Sequence, residues 1–88
     1  MEIIYSDQAK ADVKFWMKSG NKIIQKRISQ LLIAIENDPY QGIGKPEALK
    51  YEFSGKWSRR ISNEHRLVYQ LSENETVLKI HSLRGHYK

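Results

Sequence analysis

The chain has 88 residues, no cysteine, and 15 Lys plus Arg against 10 Asp plus Glu, a formal net charge of +5. That length predicts one domain, residues 1–88, with a single small core, and a composition 40% apolar and 28% charged lies outside the disordered range. A disulfide framework, a thiolate zinc site and a cysteine nucleophile are excluded; the opening "MEIIYSDQAK" lacks a leader pattern and the apolar runs are too short to span a bilayer, so a cytoplasmic protein without membrane contact is expected.

Glu2 to Tyr5 is a short β-prone start, after which Ser6 is suited to cap a helix with Asp7 in its first turn. Ala9, Val13, Trp16 and Met17 recur at helical spacing, and Gly20 is the expected stop. A second helix is expected from about Asn21. Its apolar stripe is Ile24, Ile28, Leu31 and Ile35, widened by Ile23 and Leu32, with Lys22, Lys26, Gln30 and Glu36 on the other side and Pro39 preventing its continuation. The two helices need a sheet to cover their apolar stripe. Four β-branched or aromatic runs supply it: "ALKYEF", "KWSRRIS", "HRLVYQLS" and "TVLKIHSL", separated by "SG", "NE" and "ENE". The expected fold class is α+β, two N-terminal helices packed on an antiparallel meander of about four to five strands.

Between helices and sheet runs "DPYQGIGKPEALK", which holds two glycines and both prolines of the chain, the kind of connector where function collects. Glu47 follows Pro46 directly, with Lys45 and Lys50 near enough to hold its carboxylate ionised, and is a candidate general base. In "WSRRI" the side chains of Arg59 and Arg60 must leave opposite faces of the sheet. Arg60 shares its face with Ser58 and Ser62 and can offer its planar fork to a phosphate. Arg59 shares its face with Trp57 and Ile61, where its stem would lie along the core edge or meet a partner protein. A histidine could donate a proton near neutral pH, and chain order alone does not choose among His65, His81 and His86. Lys45, Lys50, Arg66 and Arg84 interleave with Tyr51, His65 and Tyr87, a mixture of cations and flat rings that grips phosphates and stacks on unpaired bases; Trp57 and Tyr69 are expected in the core.

"GIGKPE" is no phosphate loop, because proline follows its lysine and a strand follows the turn. No HExxH, paired-aspartate or Cys/His ligand spacing occurs, so neither a metal nor another cofactor is expected. A base, an acid, a guanidinium and several lysines suit cleavage of RNA by its own 2′-hydroxyl. The rival reading is a non-catalytic RNA-binding or ribosome-binding module, in which the cations merely hold phosphates. A DNA-binding repressor is disfavoured, since neither helix carries a recognition signature.

The stretch "PYQGIGKPEALKYEFSGKWSRRISNEHRLVY" together with "RGHY" resembles the YoeB (Txe/YoeB) toxins of bacterial toxin–antitoxin pairs, within the RelE superfamily. The resemblance runs the length of the chain and implies the same α+β fold. It further implies an mRNA endonuclease that enters the ribosomal A site, cuts the exposed codon and so inhibits translation. By that likeness the general base falls on Glu47, the transition-state arginine on Arg60, the general acid on His86 and a substrate-positioning aromatic on Tyr87, while His65 and Arg66 support the site or touch RNA. Tyr51 stands where a better-known member has histidine, and Lys88 follows the His-Tyr pair. The resemblance also implies an inhibitory antitoxin of the YefM kind whose C-terminal segment wraps the toxin, and toxin homodimers.

Overall fold

Capping chemistry sets the limits of the helices in the computed structural model, which describes residues 1–85. After strand β1, Glu2–Tyr5, Ser6 keeps an extended backbone and its hydroxyl accepts the Ala9 N–H at 3.0 Å, starting helix α1, Asp7–Ser19. Gly20 ends it in the left-handed region, φ 70°, with its N–H returned to the Met17 carbonyl. Asn21 then caps helix α2, Lys22–Asn37, by accepting the Ile24 N–H at 3.0 Å. The helix ends just before Asp38 and Pro39, as the sequence predicts.

The sheet has five strands in the order β1-β5-β4-β3-β2, with β2 Glu47–Ala48, β3 Trp57–Arg60, β4 Arg66–Leu71 and β5 Val77–Ser82. Strands β2 to β5 form the expected antiparallel meander. Strand β1 departs from it: it lies parallel to β5, Glu2 opposite Val77 and Tyr5 opposite Ile80, which makes the sheet mixed. Hairpin logic orients consecutive strands only; β1 and β5 are separated along the chain by both helices and the other three strands, and the Ser6 hydroxyl donating to the His81 carbonyl at 2.8 Å fastens the end of β1.

The run "ALKYEF" is the larger departure. Only its first residue belongs to a strand, because the chain leaves the extended region at Tyr51, φ 58°, and closes a 3₁₀ turn over Tyr51–Phe53. The Leu49 N–H donates to the Lys56 carbonyl and seals this compact loop, so β2 pairs with β3 over only Glu47↔Ser58 and Ala48↔Trp57.

One face of the sheet meets the helices. Leu67, Tyr69, Leu78 and Ile80 pack there with Ala9, Trp16, Leu31 and Ile35, all buried, and each of the Leu and Ile side chains contributes about 1.5–3 kcal/mol by leaving water. Tyr69 is in the core as expected and Trp57 is packed at its edge. Met17 and Ile23, assigned to the stripes by periodicity, stay exposed. No helix is long and apolar enough to cross a membrane among the described residues.

Candidate functional site

The outer face of the sheet is polar and basic. Paired residues in neighbouring strands point to the same side, so the register Glu47↔Ser58↔Val68↔Ser82 runs as one row across β2, β3, β4 and β5. The next row is Arg60 directly opposite Arg66. With strands about 4.8 Å apart, Glu47 and Arg60 stand on adjacent strands and adjacent rows, close enough to meet one phosphodiester. Glu47 and Arg60 are exposed and Arg66 half-buried. Arg66 folds one nitrogen onto the turn before it, donating from Nη1 to the Ser62 carbonyl at 2.7 Å and the His65 carbonyl at 3.1 Å. The Arg60 side chain donates to no group among the described residues. Ser82 lies in the floor of this face with its hydroxyl buried and without a hydrogen-bond partner among the described residues.

The approach to Glu47 is built from within. Arg59, assigned by the sequence to the core edge or a partner surface, is fully buried. Its guanidinium donates to the carbonyls of Asp38 at 2.5 Å, Gln41 at 3.0 Å and Ile43 at 3.1 Å, and to the Tyr69 hydroxyl at 3.3 Å. Tyr69 in turn donates to the Pro39 carbonyl at 2.5 Å. Burial pushes the Tyr69 phenol up, partly opposed by the hydrogen bond and charge of Arg59, so it remains a donor. The strand-exit geometry is fixed by Gly44, whose carbonyl accepts the Arg60 N–H at 2.7 Å and whose missing Cβ leaves room for Leu31. Its φ of 84°, followed by Lys45 at 51°, turns the chain into Pro46 and Glu47. Alternation with Trp57 and Ile61 marks the buried face for Arg59; nothing local reveals that backbone carbonyls receive it.

The other expected residues divide. Lys45, Lys50 and Tyr51 are exposed on the loops flanking β2, Tyr51 with 87% of its surface in solvent. Arg84 is not brought to Glu47: its guanidinium lies 3.6 Å from the centroid of Phe15 on α1. His65 packs edge-on against Trp16, centroids 4.9 Å apart, and its Nδ1 accepts the Gly85 N–H at 2.9 Å. His81 shares a 3.0 Å hydrogen bond between its Nε2 and Gln70; burial first, then Lys56 and Lys79, push its pKa down, so it is neutral at physiological pH. The expected acid His86 and aromatic Tyr87 lie outside the described residues. Among those described, no group of three His, Cys, Asp or Glu could hold a metal ion.

Two helices over a five-stranded sheet with a polar, basic outer face define the RelE-like class of bacterial toxin folds; YafQ from Escherichia coli, 21% identical, superposes with a TM-score of 0.78 and shares the fold alone. The chain belongs to the YoeB family: residues 5–87 match the family model described as YoeB-like toxin of bacterial type II toxin-antitoxin system. Toxin YoeB of Synechocystis is 46% identical over 88 residues, spanning 100% of this chain and 99% of the relative. A solved YoeB/ParE toxin from Agrobacterium tumefaciens is 34% identical with a TM-score of 0.93, covering 99% of this chain and 100% of its own. A YoeB dimer and a YoeB–YefM complex from Staphylococcus aureus are 41% and 43% identical, with TM-scores of 0.87 and 0.85 and coverage of 99% of this chain and 98% of theirs.

Proposed function

We propose that this YoeB-family toxin is a metal-independent endoribonuclease that cleaves mRNA in the ribosomal A site and so inhibits translation, acting as a single domain, residues 1–88, in the cytoplasm. The observation that carries the reading is the shared outer face: Glu47, Arg60 and Arg66 project from one side of β2, β3 and β4 in adjacent rows. A carboxylate beside two guanidiniums fits a ribose-phosphate junction. Glu47 takes the 2′-hydroxyl proton, the 2′-oxygen bonds to phosphorus, and the bond from phosphorus to the 5′-oxygen breaks. Arg60 and Arg66 stabilise the added charge on the phosphoryl oxygens. His86 protonates the departing 5′-oxygen, Tyr87 orients the nucleotide, and Lys45, Lys50 and Tyr51 hold flanking message. The products are a 2′,3′-cyclic phosphate and a free 5′-hydroxyl, and DNA, lacking the hydroxyl, is spared.

A solved relative complexed with YefM and another solved as a dimer support two partners for this chain: an acidic antitoxin segment wrapping the basic surface, for which the net charge of +5 is complementary, and a second toxin copy. The deciding experiment maps cleaved ends on a translating message for the wild type and for Glu47→Ala. Cyclic phosphate ends that disappear in the variant, with ribosome association retained, are expected. Equal cleavage by both proteins refutes the catalytic reading, and ribosome binding without any cleavage favours the non-catalytic module.

A further inference from the structure

The outer face carries a third row that the proposed cleavage leaves unused. Beyond the row of Glu47 and Ser58, Gln70 on β4 stands opposite Lys79 on β5, and continuing the register one step past Trp57↔Tyr69 sets Lys56 opposite Gln70. Alternation with the buried Tyr69, Leu78 and Ile80 turns Gln70 and Lys79 outward. The ladder skips His81, since Val68 pairs with Ser82 and Tyr69 with Ile80, and this bulge aims the imidazole at Gln70, with His81 Nε2 and Gln70 Oε1 3.0 Å apart. An amide oxygen only accepts, so His81 donates from Nε2 and holds the amide in one orientation. The Gln70 nitrogen, with two N–H groups, donates to nothing among the described residues. Gly55 leaves it open, since a Cβ there would lie 3.4 Å from Gln70 Nε2.

Two ammonium groups flank this neutral pair. Burial first, then the charges of Lys56 and Lys79, lower the His81 pKa, so both cations are felt at the same spot. Lys56 is further steadied by the Phe53 ring, whose centroid lies 5.6 Å from its Nζ. Cations around an oriented amide with spare donors suit a nucleotide, the ammoniums meeting phosphate and the amide a base edge. Rows two residues apart along a strand are separated by about 6.7 Å, so the lysine row lies about 13 Å from the arginine row with Glu47 between them. The 2′-hydroxyl that Glu47 faces belongs to the nucleotide 5′ of the cut, and Glu47 stands on the lysine side of the arginines. We propose that Lys56, Gln70 and Lys79 form a subsite for the nucleotide immediately 5′ of the cut: the lysines hold its 5′-phosphate, and the Gln70 amide, oriented by His81 as a positioning residue, donates to its base. The assignment rests on the outer face being the RNA face. An acidic peptide fits this row less well, because the exposed Glu47 carboxylate stands beside it.

The test maps cut sites on a pool of translating messages for the wild type and for Gln70→Leu, which keeps bulk and loses the donors. The wild-type preference among bases 5′ of the cut should fall by about 2- to 12-fold in the variant, the scale of one lost hydrogen bond, with preferences 3′ of the cut retained. His81→Phe, which frees the amide, should lose part of the same preference. A wild type indifferent to that base, an unchanged preference in Gln70→Leu, or a change confined to the 3′ side overturns the proposal. The phosphate contact is read without the ribosome, from the salt dependence of Kd for a short oligouridylate whose 2′-methoxy groups prevent cleavage. Replacing Lys56 and Lys79 together by glutamine should flatten the slope of log Kd against log salt by about 0.7, the value of one single-stranded phosphate. Arg60→Gln run alongside separates the two levels: if it flattens the slope and the double lysine variant does not, the subsite alone fails; if neither does, RNA does not lie on the outer face and the proposed function falls with the inference. A lysine variant that loses binding to polyglutamate while keeping the wild-type RNA slope would assign the row to an acidic partner and likewise overturn the proposal.

Discussion

Replacing Arg59 by methionine isolates what the buried guanidinium does, because methionine keeps an unbranched stem in the same space and removes every donor. The lost hydrogen bonds to the Asp38, Gln41 and Ile43 carbonyls are charge-assisted, each about 1.5–3 kcal/mol, a gross loss of roughly 5–9 kcal/mol over the three. Two effects offset it: the variant has no cation to desolvate, a saving of several kcal/mol, and Gln41 and Ile43, on an exposed loop, can turn their carbonyls to water. A net destabilisation of about 2–4 kcal/mol remains, against a total of about 4–13 kcal/mol for a chain of this length. The melting temperature should fall on the order of 10–25 °C. Arg59→Lys, which keeps the charge but not the fork, should fall by less. Thermal unfolding followed by circular dichroism measures the global loss. Fluorescence of Trp57, whose ring lies 5.0 Å from Tyr40 on the same loop, reports whether the loop opens first. A methionine variant melting at or above the wild-type temperature would refute the reasoning and show that the Tyr69–Pro39, Gly44–Arg60 and Tyr40–Glu75 bonds suffice to hold the loop.

Gly44→Ala would set a Cβ 2.8 Å from Leu31 Cδ2 and 3.1 Å from Arg59 Cβ at φ 84°, so strain and overpacking together should lower stability by about 2–3 kcal/mol; a melting temperature within a degree of wild type would contradict this packing. His81 contributes a pH dependence whose sign follows from its depressed pKa. The unfolded chain takes up its proton first, so stability is full above the unfolded value, about 6.5, and is lost as pH falls through that value and then the lower folded one. Urea midpoints between pH 8 and 5 should therefore drop more steeply for wild type than for His81→Gln, and parallel curves would show that the imidazole is not desolvated.

Local patterns carried the fold a long way. Ser6, Gly20 and Asn21 limit the helices by capping chemistry that involves only near neighbours, and period-two alternation separated Arg59 from Arg60 before any coordinates. Where partners are distant in sequence the reading weakened. The parallel pairing of β1 with β5 depends on how a helical pair folds over a sheet, and no hairpin signal encodes it. "ALKYEF" has the composition of a strand, yet a left-handed Tyr51 and the Leu49–Lys56 bond turn it into a loop. Of the site, alternation separated the face of Arg60, whereas its sharing that face with Glu47 and Arg66 follows from the strand register, which no local pattern encodes. Nor is the burial of Asp12 encoded locally: an aspartate in mid-helix reads as solvated charge, and its partner, the Leu83 N–H, is 71 positions away.

The same face that fits a phosphodiester is a liability to the free protein. Arg60 and Arg66 are a directly opposed cross-strand pair, and like charges so placed destabilise a sheet by about 0.2–1 kcal/mol. Arg66 relieves part of this by folding Nη1 onto the turn carbonyls, whereas the Arg60 side chain donates to no group among the described residues. Arg60→Gln should therefore melt higher than the wild type in dilute buffer while losing activity, the trade expected where function keeps an uncompensated charge. The gain should shrink in about 1 M salt, where screening acts within about 3 Å. Saturating a short single-stranded RNA should reverse the order, because an anion bound between the two guanidiniums stabilises only the protein that has both; at a concentration of about 100 times Kd the gain is about 2.7 kcal/mol. A glutamine variant that is less stable at low salt, or one that RNA stabilises as much as the wild type, would mean that Arg60 points away from its neighbour and away from the message, and the electrostatic half of the proposed mechanism would have to rest on Arg66 alone.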